Sequence, residues 1–75
     1  MRQFRSVDRE MAMKRLDYLH AAHSLDDIPP LNSIHLHALT GDRKGQWAIS
    51  LNGPWRICFE FRNGNAYQVE IVDYH

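Results

Sequence analysis

Six side chains in this 75-residue chain carry groups that could work on a phosphodiester: His35, His37, Arg56 and the closing Asp73-Tyr74-His75. Histidine titrates near neutral pH, so one imidazole can take a proton from an attacking hydroxyl while another returns one to the leaving oxygen. An arginine offsets the charge that grows on a phosphorane-like transition state. A tyrosine donates a hydrogen bond or stacks on a base. RNA suits such a set, because its own 2′-hydroxyl is the nucleophile and the chemistry needs no metal and no other cofactor. Each residue also has a plainer reading. A strand histidine is often a surface group, an arginine can lie along the sheet or pair with Glu60 or Glu70, and a terminal Asp-Tyr-His can be a frayed tail. His35-x-His37 with Asp73 or His75 would fall short of a metal ligand set, so no metal site is expected.

These residues need a scaffold, and alternation supplies one. Over Gln46–Leu51, Trp47, Ile49 and Leu51 share one parity; over Trp55–Phe61, Trp55, Ile57, Phe59 and Phe61 share one face, with Arg56, Cys58 and Glu60 on the other. With a third strand over Tyr67–Tyr74 this predicts a meander. Asn52-Gly53 is a tight-turn signal for both central residues at positive φ, and Arg62-Asn63-Gly64-Asn65 reads as a longer loop of the same kind. A short strand over Ile34–Leu39 would put His35 and His37 on one side. Thr40-Gly41-Asp42 turns the chain, and Arg43-Lys44-Gly45 continues as an exposed loop.

Residues 7–23 read as one helix with a stripe of Ala12, Leu16, Leu19 and Ala22 or His23, flanked by Met11 and Tyr18. Ser6 is the expected N-cap, and Asp8 and Glu10 suit the positive end of the helix dipole. Pro29-Pro30 stops any continuation. The expected fold is therefore α+β: one domain over 1–75, an antiparallel sheet of about four strands, and one main helix on one face. Such a core is thin for a chain of this length, and a partner chain or a homodimer is the natural expectation.

Charge and cysteine usage narrow the class. Nine basic residues balance nine acidic ones, which argues against unaided binding to duplex nucleic acid. The cations nevertheless cluster at Arg2, Arg5, Arg9, Lys14 and Arg15, expected as a solvated face, and at Arg43-Lys44. No apolar run reaches the length of a membrane span, and the start lacks a secretory pattern. The single cysteine, Cys58, reads as a packing residue, and its solitude fits a reducing, cytoplasmic setting.

The run His37-Ala38-Leu39-Thr40-Gly41-Asp42-Arg43-Lys44-Gly45-Gln46-Trp47, then Asn52-x-x-Trp55-Arg56-Ile57-Cys58-Phe59, then Val69-Glu70-Ile71-Val72-Asp73-Tyr74-His75, resembles the HigB branch of the RelE-like toxins. The likeness covers roughly residues 9–75. It implies a microbial-ribonuclease-like fold that cleaves messenger RNA on the ribosome and stops translation. It also implies a cognate helix-turn-helix antitoxin that neutralises the toxin and represses the shared operon. By position, the resemblance makes His37, Arg56, Asp73, Tyr74 and His75 the catalytic set. Thr40 stands where many members carry a phosphate-contacting lysine, so with Arg43 and Lys44 it marks the expected RNA-contacting loop. Members usually begin with a further strand and helix that this sequence lacks. That difference leaves an alternative, a weakly catalytic homologue whose task is to bind its antitoxin.

Overall fold

The computed structural model describes residues 6–73. Helix α1 (Arg9–Ala21) is followed by a 3-10 turn at Leu25–Asp27. Four strands then form one antiparallel sheet: β1 (His37–Ala38), β2 (Trp47–Ser50), β3 (Trp55–Arg62) and β4 (Asn65–Asp73), in the spatial order β1-β2-β3-β4. A second 3-10 turn, Gly41–Arg43, lies between β1 and β2. The α+β architecture read from the sequence is the one observed.

Alternation places the core. Ile49 and Ile57 pair across β2 and β3, Trp47 pairs with Phe59, and this parity faces α1. Ile34, Ile49, Ile57 and Phe59 are fully buried there with Ala12, Leu19, Ala22, Ile28 and Leu51. The opposite parity carries a second, smaller apolar patch of Leu39, Ala48 and Cys58, with Val72 packed against it. The sheet is therefore dry on both sides at its centre. At its outer strand it is not: Val69 and Ile71 of β4 stay 42% and 40% exposed.

Several local expectations are corrected. The helix N-cap is Asp8, not Ser6: the Asp8 carboxylate accepts from the Met11 amide at 3.0 Å, and an acid at this position also complements the dipole. Ser6 instead gives its carbonyl to the Asn52 side-chain amide (2.8 Å), while Asn52 Oδ1 accepts from the Asp8 amide (2.6 Å). The buried stripe of α1 is Ala12, Arg15 and Leu19, with Leu16 only half-buried. Arg15, expected in solvent, lies between helix and sheet and donates to the carbonyls of Ser50 (3.5 Å) and Ser33 (3.4 Å).

The two turns exchange roles. Asn63 (φ 52) and Gly64 (φ 76) form the two-residue turn with both central residues left-handed, between paired Arg62 and Asn65. The β2–β3 connection takes four residues, Leu51 to Pro54, and only Gly53 has positive φ. Pro54 has no amide to give, and the Asn52 side chain is engaged at the start of the helix.

The strand expected over Ile34–Leu39 shrinks to two residues, because His35 adopts φ 51 and leaves the ladder. Flanking bonds persist on either side, from the Ser50 amide to the Ile34 carbonyl and from the Leu39 amide to the Gln46 carbonyl. Burial does not alternate along this segment: Ile34 and Leu39 are buried, Leu36 and His37 half-buried, His35 and Ala38 exposed. β4 begins at Asn65, two residues earlier than expected, and carries a bulge with Gln68 at φ 54 opposite Phe59.

Candidate active site

The side chains able to do chemistry collect on the sheet face that α1 does not cover. The register sets them out in rows. His37, Ala48, Cys58 and Glu70 stand side by side across the four strands, and Ser50, Arg56 and Val72 form the next row. The floor between them is the apolar patch of Leu39, Ala48 and Cys58. Strand spacing and rise put the Cα atoms of His37 and Arg56 about 12 Å apart, a gap that a phosphodiester and two long side chains can bridge.

His37 is oriented by its neighbour. Its Nδ1 lies 2.8 Å from the His35 carbonyl oxygen, and the two rings stack at 4.5 Å with a 33° tilt. A carbonyl can only accept, so Nδ1 carries the hydrogen and Nε2 is left as the atom that exchanges protons with anything outside. The left-handed backbone of His35 presents that carbonyl to the His37 ring, a strained conformation of the kind found at functional sites. Alternation on a regular strand predicted the two imidazoles on one side. The kink brings them together by a different route.

Arg56 is half-buried, and its Nη1 donates to the carbonyls of Trp55 (2.9 Å) and Gly53 (3.3 Å). These bonds anchor one branch of the guanidinium and leave Nε and Nη2 available for an anion.

Arg43 reaches over the floor from the second 3-10 turn. Its Nη2 lies 2.8 Å from Glu70 Oε1, and its Nη1 donates to Gln46 Oε1 at 2.9 Å. Its charge is therefore compensated, unlike that of an open phosphate clamp. Lys44 and Thr40 are exposed beside it. Burial pushes the Cys58 thiol above its ordinary value. Arg43 and Arg56 pull the other way, and Glu70 adds to the rise. Cys58 thus forms the floor as a neutral thiol, in keeping with a packing role and not a nucleophilic one.

The C-terminal expectations divide. Asp73 pairs with Trp55, one position on from the row of Arg56 and Val72, so the register puts it on the helix-side parity and not beside Arg56. Tyr74 and His75 lie outside the described residues. Among the described residues no group of three or more His, Cys, Asp or Glu could hold a metal ion. No helix there is long and apolar enough to cross a membrane.

Sequence reasoning did not single out Glu70 and Gln46 as holders of Arg43. Glu70 shares a row with Cys58 only because of the bulge at Gln68, which no residue type announces. The Asp8–Asn52–Ser6 clasp was equally hidden, since Asn52 carries a strong turn signal.

A sequence model of the family described as RelE-like toxin of type II toxin-antitoxin system HigB matches residues 1–75. Endoribonuclease HigB of Proteus vulgaris is 44% identical over 61 residues, which cover 79% of this chain and 66% of that relative. The match thus spans just under two thirds of the relative's own length.

Proposed function

The chain belongs to the HigB-like, RelE-like toxins of type II toxin–antitoxin systems, and from that premise we propose that it is an endoribonuclease that cuts messenger RNA. The observation that carries this reading is the orientation of His37, whose Nδ1 is tied to the His35 carbonyl while its Nε2 is left free on the face that also holds Arg56.

In the proposed reaction His37 Nε2 takes the proton of a ribose 2′-hydroxyl. The 2′-oxygen bonds to phosphorus, the bond to the 5′-oxygen breaks, and a proton from His75 completes the leaving hydroxyl. The products are a 2′,3′-cyclic phosphate and a 5′-hydroxyl end, with no redox change and no metal required. Arg56 offsets the charge on the phosphoryl oxygens through the N–H groups its carbonyl partners leave over. Tyr74 positions the substrate or tunes the histidines, while Asp73, on the helix-side parity, takes no part on this face. Thr40 and Lys44 contact the RNA backbone, and Arg43 joins them only where Glu70 releases it. The substrate is messenger RNA in the ribosome, and the partner that restrains the enzyme is a cognate helix-turn-helix antitoxin.

A second reading has its own observation. The Arg43–Glu70 pair cancels one of the few cations on this face, which favours a weakly catalytic protein that serves its operon by binding antitoxin. Primer-extension mapping of messenger RNA after induction, with translation running or blocked, separates the two. Codon-phased cuts that need translation and vanish in His37→Ala support the enzyme. Their absence from soluble, well-expressed protein supports the binder.

A further inference from the structure

We propose that the hollow between the Leu25–Asp27 turn and the segment leading to β1 holds one base of the RNA, next to the scissile phosphate, and favours a base with an exocyclic amino group. This rests on the nuclease reading above and names what recognises the substrate there.

The hollow has a volume of about 380 Å³, at the small end of ligand pockets and suited to one planar ring system. Pro29, Leu31 and Leu36 give it apolar walls, and His35 stands among the lining residues. The His35 ring stacks at 4.5 Å on His37, so an occupant lies within about one nucleotide of the proton-transfer atom. Aromatic rings are the usual platform for unstacked RNA bases.

The walls are formed in advance. The Leu31 carbonyl accepts from the amides of both Ile34 and His35 at 3.0 Å, and the Leu31 amide donates to the Pro29 carbonyl at 2.9 Å. This tight turn holds the Leu31 side chain 54% exposed beside the hollow.

Two polar residues, Asp26 and Asn32, line the same hollow. Neither bonds to another described residue, whereas the adjacent Asp27 is used up on the amides of His23 (2.8 Å) and Ser24 (3.2 Å). A carboxylate only accepts, and an amide both donates and accepts. Together they fit a base edge that presents N–H₂, a donor that adenine, guanine and cytosine carry on an exocyclic nitrogen and that uracil replaces with its ring N3–H alone.

The test uses Asn32→Ala, Asp26→Asn and Leu31→Ser, all at exposed positions, with cut sites mapped across the transcriptome of induced cells. The wild type should avoid uracil at one fixed position beside the cut. Each of the two polar substitutions should relax that preference about two- to tenfold, the value of one hydrogen bond. Leu31→Ser should lower cutting at all sites. Unchanged preference and rate in all three, with His37→Ala inactive, overturn the base site and leave the nuclease standing. No cutting by the wild type overturns the nuclease reading. The hollow is then decided by titrating 2′-deoxy tetranucleotides into labelled protein. Shifts of the Asp26, Asn32 and Leu36 amides, weaker for oligo-dT, support base binding, and their absence overturns it.

Discussion

The Arg43 guanidinium lies 2.8 Å from the Glu70 carboxylate, although one belongs to the turn before β2 and the other to the outermost strand. The bridge passes over Cys58, whose thiol feels both charges. Both partners are partly in water, so the pair contributes less than about 1 kcal/mol to stability. Its larger effect is on the charge the face presents to RNA. Glu70→Gln should leave the melting temperature almost unchanged and tighten binding to single-stranded RNA. The salt dependence should steepen by about 0.7 in the log–log slope, the signature of one more phosphate contact. Fluorescence anisotropy across a salt series measures this, and an unchanged slope would show that Arg43 never faces the backbone.

Arg15 makes a contrasting prediction. It is a buried cation satisfied by the Ser50 and Ser33 carbonyls. Arg15→Ala removes both bonds and the packed stem, and should cost about 2–4 kcal/mol in urea unfolding. Arg15→Lys should not restore it fully, because an ammonium cannot span two carbonyls as the planar fork does.

Gly64 stands at φ 76, and an added Cβ would meet the His23 carbonyl oxygen at 3.2 Å. Gly64→Ala should therefore destabilise by about 1–2 kcal/mol, while Asn63→Gly should be close to neutral. Thermal melts of the two variants side by side check the assignment of the tight turn.

Cys58 gives the pH dependence a sign. Burial holds the folded thiol above its ordinary value of 9.0, so the unfolded chain ionises first. The contribution is complete below about pH 9 and declines above it, until the buried thiol ionises too. Subtracting the stability curve of Cys58→Ala from that of the wild type should leave a difference that is flat at neutral pH and falls on the alkaline side. Native protein should also alkylate far more slowly than protein in denaturant.

The His37 geometry is directly visible by NMR. Long-range ¹H–¹⁵N correlations at a pH where the ring is neutral should show the Nδ1–H tautomer, the minor form in free histidine. His35→Val, which resists a left-handed backbone, should erase that signature and reduce cutting. His35→Asn should keep the tautomer. A major Nε2–H form in the wild type would contradict the arrangement.

How much of this was legible in the sequence follows from the range of each interaction. The sheet and its two faces were readable because Trp55, Ile57 and Phe59 alternate with Arg56 and Cys58, and burial enforces such a pattern over a whole strand. His37 and Arg56 on the open face followed from the same parity. The kink at His35 did not follow, since it depends on a single backbone angle that histidine only occasionally adopts. Asp73 was placed with Arg56 by its nearness in the terminal motif, and strand register puts it on the other side. Arg15 looked like surface charge because composition does not reveal two carbonyls waiting at the sheet.

The Asn52 clasp has a consequence of its own. Asn52 joins the loop between β2 and β3 to the first turn of α1 through the Asp8 amide and the Ser6 carbonyl. That loop fixes how far β3 is advanced along β2, and with it the offset between the row of His37 and the row of Arg56. A displacement of one residue would carry Arg56 through the sheet to the helix side and lift Ile57 into its place. The helix thus acts as a gauge block for the two reactive side chains. Any event that pries its first turn loose would detune the pair without touching either of them.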